Sequence, residues 1–204
     1  MKTKLFPSYP RKNAGYTFME LIVVISIFGI MSSVALLNFS DYTTQASLQN
    51  TAEDIALTIK QAQSASIAGK TYGDQDPTFT PSYGLYFDVD KPDQFIYFYN
   101  NIDGGSEGYD GNAEKIREIK ITTSDMIDKL CVTDANNGNS LDCGVTKMSV
   151  AFKRPFPDTI ITGSLNSGVV PNEAIIRLVS IKGKQMAISV SALGSIAVSP
   201  LTSP

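Results

Sequence analysis

From residue 21 to residue 40 the chain carries no charged side chain, and Ile, Val, Leu and Phe dominate the run. A helix rises about 1.5 Å per residue, so roughly 20 such residues match the hydrocarbon core of a bilayer. The stretch 21–39 therefore predicts a membrane-spanning helix, and any fold must leave it in lipid or against other apolar helices. Lys2, Lys4, Arg11 and Lys12 precede it with no acidic residue among them. That bias predicts a cytoplasmic N-terminus and a translocated remainder. An ordinary secretory signal has a shorter apolar region, about 7–15 residues, and a plain unprocessed anchor fits on length alone. Neither explains Glu20, a carboxylate at the mouth of the run, where an unpaired charge is costly.

The helix pattern continues beyond the membrane. Between Gln45 and Ala68 there is no proline, and Leu48, Ala52, Ile55, Ile59, Ala62 and Ile67 fall near one face, with Glu53, Asp54, Lys60 and Gln61 off it. Gly69 and Lys70 read as a stop. A helix from about Tyr16 to about Ala68 would be roughly 80 Å long, apolar all round in its first half and amphipathic in its second.

After Gly73 the period changes to two. Strands are expected at 83–89, 94–99, 115–122, 146–153, 174–181, 185–191 and 195–198. Lys91-Pro92-Asp93 makes the first pair a hairpin, and Lys182-Gly183-Lys184 and Leu193-Gly194 make the last three a meander. A long helix followed by antiparallel strands is an α+β architecture. Lys153-Arg154-Pro155-Phe156-Pro157 reads as a strand end or bulge. The expected organisation is a leader at 1–15, a transmembrane helix at 16–40, its amphipathic continuation at 41–69, a β-rich domain at 70–198 and a disordered tail at 199–204.

Two cysteines, Cys131 and Cys143, flank an Asn-, Asp- and Gly-rich segment. A translocated domain meets an oxidising compartment, so a disulfide is expected, contributing on the order of 3 kcal/mol by loop closure. The Gly-rich segment 100–112 offers Asp103, Glu107 and Asp110 as oxygen ligands for Ca²⁺. It lacks the alternate-position acids of an EF-hand, and a solvated loop is the competing reading. No other cofactor is expected. The chain has no His, no Gly-Xaa-Ser-Xaa-Gly elbow and no phosphate-binding glycine pattern, which argues against an enzyme.

Gly15-Tyr16-Thr17-Phe18-Met19-Glu20-Leu21, followed by the apolar helix, resembles the signal of type IV pilins and pseudopilins. The resemblance implies a pilin-like fold, cleavage between Gly15 and Tyr16 by a prepilin peptidase, and N-methylation of Tyr16, where the family more often has Phe. It also implies assembly with other pilin or pseudopilin subunits through an inner-membrane platform, with Glu20 pairing an α-ammonium, and a filament at the cell envelope. The helix end Ala62-Gln63-Ser64-Ala65-Ser66-Ile67-Ala68-Gly69, the strand Tyr83-Gly84-Leu85-Tyr86-Phe87 and the closing Ala192-Leu193-Gly194-Ser195-Ile196 resemble H-type pseudopilins of type II secretion and FimT-like minor pilins. The expected function is a structural subunit held in lipid by residues 21–39, and the alternative is a pilus-tip module for adhesion or DNA uptake. Without the four leader cations, 13 of the 17 basic residues face 20 acidic ones, a balance of −7. That argues against nucleic acid as a partner.

Overall fold

A computed structural model describes residues 15–69, 82–100, 108–111, 115–153, 158–166 and 168–201. The chain divides into two compact units, residues 1–42 and 43–204. In the first, the described residues are helical from Phe18 onward and belong to α1 (Phe18–Ile67). An 18-residue window of α1 reaches a mean hydropathy of 2.3 with none of it buried. Its large side chains, Phe18, Val24, Phe28 and Met31 among them, are exposed on every side of the helix. A helix apolar all round is one built for lipid or for packing with other such helices.

In the second unit α1 is amphipathic as expected. Leu48, Ala52, Ile55, Ile59 and Ala62 are buried, while Glu53, Asp54, Lys60 and Gln61 are exposed. The expected stripe fails at its last member. Ile67 is 49% exposed, and Ala65 and Ser66 are buried instead. A step of five from Ala62 turns the side chain well away from the face, whereas steps of three and four keep to it. Ser66 uses its place: its hydroxyl accepts the Tyr83 N–H at 2.8 Å. The helix ends as Gly69 adopts a left-handed φ of 62° with its N–H on the Ser66 carbonyl, a conformation that spares glycine the usual Cβ penalty.

Among the described residues ten strands follow: β1 (Ser82–Asp88), β2 (Gln94–Asn100), β3 (Lys115–Lys120), β4 (Met126–Asp134), β5 (Ser140–Val145), β6 (Lys147–Phe152), β7 (Thr159–Gly163), β8 (Pro171–Val179), β9 (Gln185–Ser191) and β10 (Ile196–Leu201). They form two antiparallel sheets, β3-β2-β1-β6-β7 and β10-β9-β8-β4-β5. The expected hairpin is β1–β2, with Leu85 opposite Tyr97, and the expected meander is β8–β9–β10. One apolar core joins α1 to both sheets through residues such as Ile55, Ile59, Leu85, Phe87, Val150, Leu130, Ile176 and Ile188. Fully burying each large aliphatic of this kind contributes about 1.5–3 kcal/mol.

Strands β4, β5 and β7 were not expected. The Asn- and Gly-rich segment between the cysteines is a hairpin rather than a loop: a 3-10 turn at Ala135–Asn137, with left-handed Gly138 and Asn139, joins β4 to β5. The tail expectation is corrected too. β10 runs through Ser199 and Pro200 to Leu201, with Pro200 opposite Met186. A proline is tolerated there because β10 is an edge strand and needs no donor on its outer side. Residues 154–157 and 202–204 lie outside the described residues.

The sheet containing β1 has a second, smaller apolar cluster on its outer face, built from Ile96, Phe98 and Ala151 with Tyr86, Tyr109 and Ile160 against them. Gly84 lies opposite Ala151 where β1 pairs with β6; a Cβ there would lie 2.5 Å from the Val150 carbonyl oxygen and 2.9 Å from Ala151 Cα. Only glycine admits so close a backbone approach.

Candidate functional site

Gly15, Tyr16 and Thr17 precede the helix, which begins at Phe18 rather than Tyr16. The cause is local. The Thr17 hydroxyl accepts the Glu20 N–H at 3.3 Å, and the Thr17 carbonyl accepts the Leu21 N–H at 3.2 Å. Thr17 is thus the N-cap and Glu20 the third helical residue, the spacing of a capping box. The pattern Thr-Xaa-Xaa-Glu before an apolar run is legible in the sequence, and it gives Glu20 a place in the first turn beside the two expectations of an ion pair with an α-ammonium and a merely solvated interfacial carboxylate. A carboxylate in the first turn also meets the positive end of the helix dipole. Tyr16 is 83% exposed and Glu20 is exposed, so the atoms on either side of the Gly15–Tyr16 bond are open to a second protein.

The other expected site residues lie in the second unit. Cys131 and Cys143 are bonded, with Cα atoms 3.9 Å apart, where a bulge in β5 brings edge strand against β4. Asp103 and Glu107 lie outside the described residues. Asp110 follows a segment held on the outer face of the β1 sheet: Asn100 Nδ2 donates to the Gly108 carbonyl at 3.1 Å, and the Tyr109 N–H donates to Ser149 Oγ at 3.1 Å. The Tyr109 ring lies 4.8 Å from Tyr86 and 5.5 Å from Phe98. Among the described residues no group of three or more His, Cys, Asp or Glu is placed to hold a metal ion.

Asp125 carries no motif in the sequence that marks it out. It is 3% exposed, in the link between β3 and β4, and its carboxylate accepts from Thr51 Oγ1 at 2.9 Å and Ser47 Oγ at 3.1 Å. Thr123 Oγ1 lies 3.0 Å from Thr51 Oγ1 and accepts the Asp125 N–H. This clasp fixes the start of the amphipathic half of α1 to the sheets. At the other end of that half, Gln63 Nε2 donates to the Gly194 carbonyl at 2.9 Å. The β9–β10 turn is thereby set beside residue 63.

A comparison with family models matches residues 10–36 to the prokaryotic N-terminal methylation motif. The chain carries the N-terminal methylation motif of type IV pilins. That motif spans Gly15, the Thr17 cap, Glu20 and most of the exposed apolar helix. Two curated relatives from Pseudomonas aeruginosa, each described as "Fimbrial protein", are 22% identical over 147 residues, covering 68% of this chain and 90% of theirs. No solved structure matches it.

Proposed function

We propose that the protein is a type IV pilin-like structural subunit, a pseudopilin or minor pilin, inserted by its N-terminal helix, cleaved between Gly15 and Tyr16 and assembled by helix packing. The observation that carries this is the conjunction at the N-terminus. A methylation motif with an exposed Gly15–Tyr16 bond and a first turn capped by Thr17 and carrying Glu20 opens directly into a helix whose apolar side chains are exposed all round. Such a helix is stable only in lipid or among other helices. Likeness to fimbrial proteins over most of their length supports the same reading. Within it, the H-type and FimT-like resemblance supports a minor rather than a major subunit, with the prepilin peptidase and an inner-membrane platform as partners. Cleavage creates an α-ammonium at Tyr16, and Glu20, of this subunit or a neighbour, offsets it.

The test is Glu20→Ala, scored separately for membrane insertion, loss of the leader and incorporation into sheared filaments. Insertion and cleavage persist and incorporation falls. Normal incorporation would reduce Glu20 to a first-turn carboxylate of a helix capped by Thr17. Deletion of the protein, scored for surface fibres and for secreted protein, separates pilus from secretion pseudopilus.

A further inference from the structure

The most exposed large apolar side chains described in the second unit are Leu193, 82% exposed, and Ile181, 79% exposed. They occupy turns at opposite ends of β9 and sit in different surroundings. Ile181 opens the β8–β9 turn, Ile181-Lys182-Gly183-Lys184. Gly183 and Lys184 line a hollow of about 460 Å³ together with Gln45, Leu48 and Gln49 of α1, so this turn lies beside the start of the amphipathic half. Half-exposed Met126 is at the same end, since it pairs with Val179, two residues before Ile181. Gln45 follows Phe39, the last residue of the apolar run, by six residues, which reach at most about 20 Å even fully extended. The Leu193 turn is tied instead to Gln63, 18 residues and about 27 Å further along the same helix.

We propose that the β8–β9 turn is a membrane-surface contact, in which Ile181 enters the interface of an acidic phospholipid bilayer and Lys182 and Lys184 face its headgroups. This rests on the reading of residues 21–39 as membrane-embedded. An exposed aliphatic flanked by lysines is the composition of interfacial segments: the apolar group enters the acyl boundary, and each lysine near an acidic surface strengthens binding about fivefold. The acids of α1 and the β3–β4 link nearest this turn are engaged, while exposed Asp90 and Asp93 of the β1–β2 turn and half-buried Asp128 lie on the β4 side of the same end. Asp125 is buried in its hydroxyl clasp, and Glu53, across the hollow, accepts from Gln49 Nε2 at 2.9 Å. The contact would hold the domain against the membrane before a subunit is drawn into a filament.

The chain has no tryptophan, so Ile181→Trp and Leu193→Trp each give a single reporter. The full-length variants, checked for wild-type melting, are reconstituted into vesicles of phosphatidylglycerol and phosphatidylcholine whose acyl chains carry bromine. The Ile181→Trp emission is blue-shifted and loses intensity to the brominated chains, and the Leu193→Trp emission does neither. Adding Lys182→Gln and Lys184→Gln, or omitting phosphatidylglycerol, weakens the quenching at 181. Equal quenching at the two positions, or none at 181 in protein that floats with the vesicles, overturns the contact. Protein that does not float overturns the membrane reading and the contact with it.

Discussion

Replacing Ile59 by alanine tests whether the second half of α1 is a core element of the domain. Ile59 is fully buried in the core shared by both sheets. The substitution removes three carbons, worth about 2.4 kcal/mol at roughly 0.8 kcal/mol per buried methylene. A partly collapsed cavity adds to this, and the better helix propensity of alanine returns a few tenths, so the expected loss is about 3 kcal/mol. A unit of this size shifts its melting temperature by about 2–4 °C per kcal/mol, giving a fall of roughly 6–12 °C. The matched control is Leu57→Ala, two residues earlier on the same helix. Leu57 is 54% exposed, and its truncation should cost less than about 1 kcal/mol. Melting of the full-length chain in detergent, followed by near-ultraviolet circular dichroism, reads both variants. Equal shifts, or a larger one at Leu57, would refute the assignment of the buried face and with it the docking of α1 on the sheets.

Asp125→Ala removes the acceptor of the Ser47 and Thr51 hydroxyls and should cost about 2–3 kcal/mol in the same melting assay, with Asp125→Asn costing less. Tyr86 should be among the last tyrosines to ionise. Burial, then the charge and hydrogen bond of Asp88, push it up to about 12 from its ordinary 10.0. The folded state thus holds this proton more tightly than the unfolded chain, so the associated stability is intact below about pH 10 and is lost as pH rises through about 12. A phenolate absorbance titration checks this: Tyr86→Phe deletes a late-titrating step, and Asp88→Asn moves that step to lower pH.

The helix was legible in the sequence because burial there repeats every three or four residues. Leu48, Ala52, Ile55, Ile59 and Ala62 announce the face that the sheets cover. Hairpin β1–β2 and the β8–β9–β10 meander were legible because turn residues sit between alternating strands. The division into two sheets was not, since it depends on the non-local pairings β1–β6 and β4–β8. The β4–β5 hairpin was hidden by its polar tip, whose Asn and Gly residues read as loop when they are the turn itself. Pro200 argued for a tail because an edge position cannot be told from a central one along the chain. Asp125 looked like any loop acid, as its partners, Ser47 and Thr51, lie more than seventy residues away. At the N-terminus the order of residues was enough to recognise the methylation motif, and the cap made by Thr17 was equally open to reading.

The most direct test of the central claim is the N-terminal residue of the protein isolated from membranes, with and without a prepilin peptidase. The account predicts a chain starting at Tyr16 when the peptidase is present and an intact leader when it is absent. A chain that keeps Met1 in both would contradict it.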